Sequence, residues 1–188
     1  MGLLEKIIFY LRNKINADKK NFILIEKKCK IRNCKIKIRG KQNSLKINEN
    51  CNLNGVNIEI RGENCKIIIG KNTIIGKNTY LSAREKNIDV IIGENCMLSR
   101  NINIMSSDGH SILEKNKNIR INQAQSIIVG DNVWLADNVT ILKGSYISEG
   151  SVVGINSLVT KKYEEKNLII VGNPARIVKR NIEWRDSL

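Results

Sequence analysis

The chain has 188 residues, the length of one domain with small appendages. Aromatic residues make up 4% of it and there is one proline, which argues against a conventional two-layer core and favours one packed by stacked Ile, Val and Leu. The formal net charge is +14, but the basic residues are dispersed and no aromatic-studded basic motif of a nucleic-acid module occurs, so we predict no nucleic-acid partner.

The first predicted element is a helix within residues 1–20, which we interpret as an N-terminal helical cap. Charged residues interrupt its apolar run, so it fits neither a signal peptide nor a membrane span. We predict that the helix covers the open end of the fold that follows, and weak peripheral contact with an anionic membrane surface is the alternative. The apolar residues of one side are Leu4, Ile7, Ile8, Leu11 and Ile15.

Residues 21–179 carry a repeat of six residues, which is irregular at first and regular from Ile69. A period of six matches neither an amphipathic helix nor a simple alternation. Short-period self-similarity with turn residues between the repeats is typical of a parallel β-solenoid. We therefore predict an all-β fold, a triangular solenoid whose coils stack at the ordinary distance between strands.

The cysteines fit this repeat. Cys29, Cys51 and Cys96 occupy the slot four residues after an aliphatic anchor, where later repeats have Val or Ser. We interpret them as small buried side chains rather than disulfides, metal ligands or nucleophiles, which favours a reducing, cytoplasmic location. In the most regular run the anchors are Val129, Leu135, Ile141, Ile147, Val153 and Val159.

The repeat stops at residues 106–125, which we predict to be an inserted loop. A long irregular loop in a compact domain is usually functional or disordered. His110 is the only histidine of the chain and lies at the mouth of this loop, two residues after Asp108. A histidine-rich metal site is excluded by that count, and we predict no bound metal. The repeat then resumes, and residues 180–188 form a short polar C-terminal tail.

Several motifs around the loop occur in a specific order: Gly93-Glu94-Asn95, Ser106-Ser107-Asp108-Gly109-His110, Val129-Gly130-Asp131-Asn132-Val133-Trp134-Leu135, Val159-Thr160-Lys161 and Gly172-Asn173-Pro174-Ala175. Together they resemble the hexapeptide-repeat acetyltransferases, in the branch that O-acetylates sugars and capsular polysaccharides. The resemblance covers roughly 69–179. It implies a left-handed parallel β-helix and a homotrimer with active sites between subunits.

The resemblance also implies a direct transfer of an acetyl group from acetyl-CoA to a sugar hydroxyl. His110 matches the general base, a role that imidazole suits because histidine side chains titrate near neutral pH. Trp134 matches an indole whose N–H lies near the thioester sulfur. Either Asp108 or a backbone carbonyl would orient the histidine ring. By family position the cofactor-binding residues are Trp134, Ala136, Gly154, Thr160, Lys161, Arg176 and Lys179.

The predicted acceptor is a carbohydrate, a surface polysaccharide such as capsule or lipopolysaccharide, or its precursor. The basic loop residues Lys115, Lys117 and Arg120 favour an acidic acceptor such as a sialic acid polymer. The net positive charge either attracts such anionic ligands or reflects biased codon composition. Two alternative functions remain, an N-acetyltransferase of an amino-sugar nucleotide and a solenoid scaffold without catalysis.

Overall fold

The six-residue repeat folds into short parallel strands that stack along three faces of a solenoid. The computed structural model describes residues 3–186, with side chains from residue 8 onward. The chain crosses the three faces in succession, and each strand pairs in parallel with the equivalent strand of the next turn. In the regular part Leu158 lies 18 residues after its partner Thr140, which is the length of three repeats.

Each face contains seven parallel strands, and the third face has one further, antiparallel strand. Face one contains Lys14–Ala17, Lys35–Lys41, Asn57–Glu63, Tyr80–Lys86, Asn103–Met105, Thr140–Leu142 and Leu158–Val159. Face two contains Phe22–Ile25, Ser44–Ile47, Lys66–Ile69, Asp89–Ile92, Ile127–Val129, Tyr146–Ile147 and Lys162–Tyr163. Face three contains Lys30–Arg32, Asn52–Asn54, Ile74–Ile75, Met97–Leu98, Trp134–Leu135, Val152–Val153, Ile169–Gly172 and the antiparallel Ala175–Lys179.

The aliphatic anchors of the repeat fill the interior. Four of the five cysteines are buried among them, whereas Cys29 is half-buried, and all five are free thiols. Burial raises the pKa of the Cys96 thiol to about 11, so it stays protonated and behaves as a small apolar side chain. The predicted anchors are at most 1% exposed; they are Val129, Leu135, Ile141, Ile147, Val153 and Val159.

Asparagines turn the chain at the corners. Asn72 and Asn95 have φ angles of 57° and 54°, in the left-handed region that Asn tolerates better than most residues. Their side chains form a ladder from turn to turn, because Asn72 Nδ2 donates to Asn95 Oδ1 at 2.9 Å. A second ladder contains Asn101 Nδ2 and Asn138 Oδ1, also 2.9 Å apart. These hydrogen bonds between asparagine side chains keep successive corners aligned.

The corner between faces one and two is wider in the early turns. There the face-one strands have seven residues, and Asn57 follows its partner Lys35 by 22 residues. Gly40 has a φ of +101°, and a Cβ on it would lie 2.0 Å from the carbonyl oxygen of Gly62. Only glycine fits so close an approach. The two Arg-Gly pairs that contain these glycines therefore widen the corner, and they interrupt the six-residue period for the same reason.

The N-terminal helix is shorter than the predicted cap of residues 1–20. It spans Leu3–Arg12, and Lys14–Ala17 is already a strand of face one. Phe9 is buried against the first turns. The side-chain amide of Asn13 donates to a helix carbonyl at 2.8 Å and to a carbonyl of the first face-three strand at 3.0 Å, which ties the helix to the solenoid. No helix in the described part of the chain is long and apolar enough to cross a membrane.

Candidate active site

The inserted loop, residues 106–125, lies on the corner between faces one and two, where it leaves a face-one strand and returns to a face-two strand. The backbone N–H of Gln125 donates to the carbonyl of Ser106 at 3.0 Å and closes the loop at its base. Leu113–Glu114 pairs antiparallel with Ile119–Arg120. The segment that we expected to be irregular thus contains a small ordered hairpin.

A carboxylate of the wide corner holds this loop. Glu85 accepts hydrogen bonds from both terminal nitrogens of Arg120, at 2.7 and 2.6 Å, and from the hydroxyl of Ser107 at 2.7 Å. The Arg120 guanidinium, helped by that hydroxyl, lowers the pKa of Glu85 to about 2. The charge of Arg120 is therefore neutralised within the protein, and Lys117 is likewise paired with Glu114 at 2.8 Å. Of the three basic loop residues expected to favour an acidic acceptor, Lys115 alone has no ion pair in the described part of the chain.

Asp108, expected as one candidate to orient the His110 ring, has other partners. Its carboxylate contacts the ammonium group of Lys143 and accepts a hydrogen bond from Asn122 Nδ2 at 2.7 Å. The hydrogen bond from Lys143 lowers the pKa of Asp108, because the cation favours the ionised carboxylate. Within residues 3–186 no hydrogen bond joins this carboxylate to the imidazole. Asp108 thus anchors the loop through Lys143 and Asn122.

Asn122 ties down the turn that carries His110. Its side chain is buried, and Nδ2 also donates to the carbonyl oxygen of His110 at 2.8 Å. Its Oδ1 accepts from the backbone N–H of Ile112 at 2.7 Å. One side chain therefore fixes the backbone of His110 and of a residue beyond it, while His110 itself is exposed. The imidazole is open to a substrate on a backbone that is held in place.

His110 lines a cleft of about 340 Å³ at the wide corner, together with Arg61, Arg84 and Ser111. The guanidinium of Arg84 donates to the carboxylate of Glu59 at 2.6 Å and is neutralised there. Arg61 is exposed, and it forms no ion pair with any residue in the described part of the chain. It is the cation of the cleft that is most available to a ligand.

Among residues 3–186, no group of three or more His, Cys, Asp or Glu side chains could hold a metal ion.

Trp134 lies on face three, and the next residue, Leu135, points into the core. The indole N–H of Trp134 donates to the hydroxyl of Ser99 at 3.2 Å. Trp184 of the C-terminal segment packs against its ring, with the two centroids 6.0 Å apart. Face three is opposite the corner that carries the inserted loop, so a single chain does not bring Trp134 and His110 together.

The residues predicted to bind the cofactor divide in the same way. A Cβ on Gly154 would lie 2.6 Å from Cγ1 of Val171, so glycine is needed at this close approach. The Lys161 ammonium lies 5.5 Å from the ring centroid of Tyr163. On face three or at its end are Ala136, Gly154, Arg176 and Lys179, whereas Thr160 and Lys161 lie at the corner between faces one and two.

Sequence reasoning missed the residues that hold the loop. Glu85 and Asn122 belong to no motif, and the contact of Glu85 with Arg120 joins positions 35 residues apart. Lys143 follows a strand that looks like any other repeat. Only Arg61 could have been noticed in the sequence, because the six-residue repeat shifts phase at Arg61-Gly62 and this shift marks the wide corner.

A comparison with models of protein families finds no match. The chain is 36% identical over 119 residues to the polysialic acid O-acetyltransferase of Escherichia coli O1:K1, an alignment that covers 63% of this chain and 38% of that protein. It is 42% identical over 62 residues to the putative lipopolysaccharide biosynthesis O-acetyl transferase of Escherichia coli K12, covering 33% of this chain and 31% of that one. The chain thus spans about a third of the length of these curated relatives.

A solved structure decides the family. The polysialic acid O-acetyltransferase OatWY superposes with a TM-score of 0.72 and 30% identity, over 94% of this chain and 92% of that one. The chain belongs to the left-handed β-helix O-acetyltransferases. The predicted fold, a left-handed parallel β-helix of hexapeptide repeats, is confirmed.

Proposed function

We propose that the protein uses acetyl-CoA to acetylate a hydroxyl group of a surface polysaccharide, such as capsule or lipopolysaccharide, or of its precursor. The names of the relatives support a polysaccharide acceptor. The observation that carries the proposal is the placement of His110, whose exposed ring lines a cleft while Asn122 holds its backbone at 2.8 Å. A general base must be accessible and fixed at once, and His110 meets both conditions.

In the proposed reaction the acceptor hydroxyl attacks the carbonyl carbon of the thioester while its proton passes to the imidazole of His110. The new C–O bond forms and the C–S bond breaks. The protonated imidazole then returns the proton to the departing thiolate, which leaves as the free thiol of CoA. One histidine thus serves as base and then as acid, because an imidazole can both accept and donate a proton.

Trp134 supplies a hydrogen-bond donor for the thioester sulfur. Its indole N–H bonds to Ser99 Oγ at 3.2 Å, the long end of the ordinary range, so that this contact is readily exchanged for the sulfur. Arg176 and Lys179, both exposed on the last strand of face three, are placed to meet the phosphates of the donor.

The proposed active site forms between two copies of the chain in a homotrimer. His110 and Lys161 belong to the corner between faces one and two, and Trp134 and Gly154 belong to the opposite face. A cyclic trimer repeats one contact between two different surfaces three times, so each corner can meet the face of a neighbour. The proposal includes a reducing, cytoplasmic location, which the five free thiols support.

An acidic acceptor is supported chiefly by Arg61, because two of the three loop cations of the first hypothesis are paired within the protein. Its guanidinium stands in the same cleft as His110 and is exposed. A carboxylate on the acceptor would find there a charged donor that can bind it through two nitrogens. This fits the polysialic acid named for one relative.

The test is transfer of radiolabelled acetyl groups from acetyl-CoA to oligosialic acid, to maltohexaose and to an amino-sugar nucleotide. We expect the wild type to acetylate a glycan hydroxyl, and His110→Ala to lose transfer by a factor of about 10²–10⁴ while it still binds acetyl-CoA in calorimetry. Lys117→Ala, in the same loop but at a side chain already paired with Glu114, is the matched control and should keep full transfer. Equal transfer with and without the imidazole would exclude His110 as the base.

Two other outcomes favour the alternatives. Acetylation of the amino group alone favours the N-acetyltransferase. If the wild type binds no acetyl-CoA in calorimetry, the solenoid is a scaffold.

A further inference from the structure

The C-terminal segment is docked on face three beside Trp134. The indole N–H of Trp184 donates to the carbonyl oxygen of Asn132 at 2.7 Å. The backbone N–H of Ile182 donates to the carbonyl of Asn167 at 3.1 Å. The ring planes of Trp134 and Trp184 are inclined by 41°, with centroids 6.0 Å apart. Three separate contacts therefore fix the segment, and the position of the Trp184 ring is defined by the fold.

A cleft of about 480 Å³ lies beneath this segment. Its floor is the outer surface of face three, where Ile74 and Met97 stand next to each other in neighbouring turns. Ile74 is 40% exposed, a large apolar side chain that is open to this space. Residues 183–186 form the roof, and the side chain of Asn95 lies at the rim. The volume falls within the range of small-molecule sites.

The cleft and the donor-binding residues predicted on face three lie on opposite sides of Trp134. Along face three, Met97 pairs with Trp134, and Trp134 pairs with Val152 of the next turn. Ala136 and Gly154 follow in the turn of Trp134 and the one after it, whereas the floor of the cleft lies in the two preceding turns. A thioester that reaches Trp134 from the later turns leaves the cleft to the other reactant, which is the acceptor.

The lining of the cleft has the chemistry that binds sugars. The indole of Trp184 offers a broad apolar surface with a polar edge. The Asn95 amide and the carboxylates of Glu183 and Asp186 can bond to hydroxyl groups. Arg185 is paired with Glu183 at 3.0 Å, so the cleft carries no surplus positive charge in a chain whose net charge is +14. It therefore disfavours anionic groups, the phosphates of CoA and a sugar carboxylate alike, and favours the hydroxyl groups of a ligand.

We propose that this cleft is an acceptor subsite that binds one sugar ring of the polysaccharide, with Trp184 as the stacking platform. The inference rests on the proposed function, because it is the transfer reaction that requires an acceptor beside Trp134. Trp184 is a positioning residue: it holds the glycan and takes no part in bond making.

The first experiment uses tryptophan fluorescence, because the chain has only two tryptophans. In the variant Trp134→Phe, all tryptophan emission comes from Trp184. The variant is titrated with oligosialic acid and with maltohexaose, without acetyl-CoA. We expect a saturable change in emission with at least one glycan, and none with free phosphate or CoA. If neither glycan causes a saturable change in emission, the proposed subsite is wrong. Because no transfer is measured, a failed O-acetylation assay would refute the proposed function without affecting this result.

The second experiment compares variants of the segment in calorimetry. Trp184→Ala should weaken glycan binding by about tenfold, the upper range for one aromatic contact, and Trp184→Phe should restore most of it. Arg180→Ala is the control, because Arg180 pairs with Glu165 at 3.0 Å outside the cleft. Thermal unfolding of each variant checks that the fold is kept. If Trp184→Ala leaves glycan affinity unchanged and tightens acetyl-CoA binding, the segment covers the donor site and the proposal is wrong.

Discussion

Arg120 and Glu85, 35 positions apart in the chain, form a two-pronged ion pair with N–O distances of 2.7 and 2.6 Å. Each side chain is 29% exposed, so the pair is partly shielded from water and its geometry is the favourable bidentate one. It joins the inserted loop to the wide corner of the solenoid. The position of His110, which that loop carries, therefore depends on a contact with a strand that contains none of the motifs.

Glu85→Gln removes one charge of this pair and should destabilise the loop. We expect the free energy of unfolding to fall by about 1–2 kcal/mol, the range for a partly shielded charge-assisted contact after discounting for solvent. Urea unfolding measures that change, and hydrogen exchange should show faster exchange of amides within 106–125. Lys117→Gln breaks the exposed pair with Glu114 and serves as the control, for which we expect less than about 0.5 kcal/mol. Equal effects of the two variants would contradict the anchoring role.

The same pair predicts an acid-labile loop. Hydrogen bonds from Arg120 lower the pKa of Glu85 from 4.5 to about 2 in the folded protein. A depressed carboxyl pKa stabilises the fold fully above its unfolded value, and the contribution is lost as the pH falls from 4.5 towards 2. The difference in unfolding free energy between wild type and Glu85→Gln should therefore shrink between neutral pH and about pH 3. A difference that is constant over this range would show that Glu85 titrates normally.

The architecture could be predicted from the sequence, whereas the support of the site could not. The six-residue spacing correctly predicted that Val129 and Leu135 are buried, because the same position of each repeat faces the interior in every turn. The Arg-Gly pairs revealed an irregularity but not its shape, since a wider corner and a break look alike in one dimension. Glu85 and Asn122 gave no signal, because hydrogen bonds across distant turns leave no period in the sequence. Trp184 lies beyond the repeat, so its contact with Trp134 left no signal in the sequence either.

Asp108 should act on the rate through the loop and not through the imidazole. Its carboxylate binds Lys143 and Asn122, so Asp108→Asn weakens the anchor of the turn that carries His110. We expect kcat to fall by about ten- to a hundredfold, as a small displacement of a catalytic group implies. The midpoint of the pH–rate profile should stay in place, and Lys143→Met should give a similar loss. A shifted midpoint with Asp108→Asn, but not with Lys143→Met, would restore the first hypothesis that Asp108 orients the ring.

Placement of His110 and Trp134 on opposite sides of one chain predicts complementation between inactive variants. His110→Ala and Trp134→Ala should each be nearly inactive alone. Trimers assembled from a mixture of the two should regain part of the activity, because some sites then combine the histidine of one chain with the tryptophan of its neighbour. Mixing after separate assembly, without unfolding, is the control and should restore nothing. If the refolded mixture also stays inactive while both variants form trimers, both residues act within one chain.

Arg61 should decide whether an acidic acceptor is preferred. Its guanidinium lies in the cleft of His110, so Arg61→Gln should raise KM for oligosialic acid by about tenfold, the loss of one charge-assisted hydrogen bond. The KM for acetyl-CoA and for maltohexaose should not change, and added salt should weaken oligosialic acid binding more in the wild type than in the variant. Arg39→Gln is the matched control, since Arg39 pairs with Arg61 in register one turn earlier but is bound to Asp18 at 2.6 Å. An equal rise in KM for the acidic and the neutral glycan would mean that Arg61 shapes the cleft without reading the charge of the acceptor.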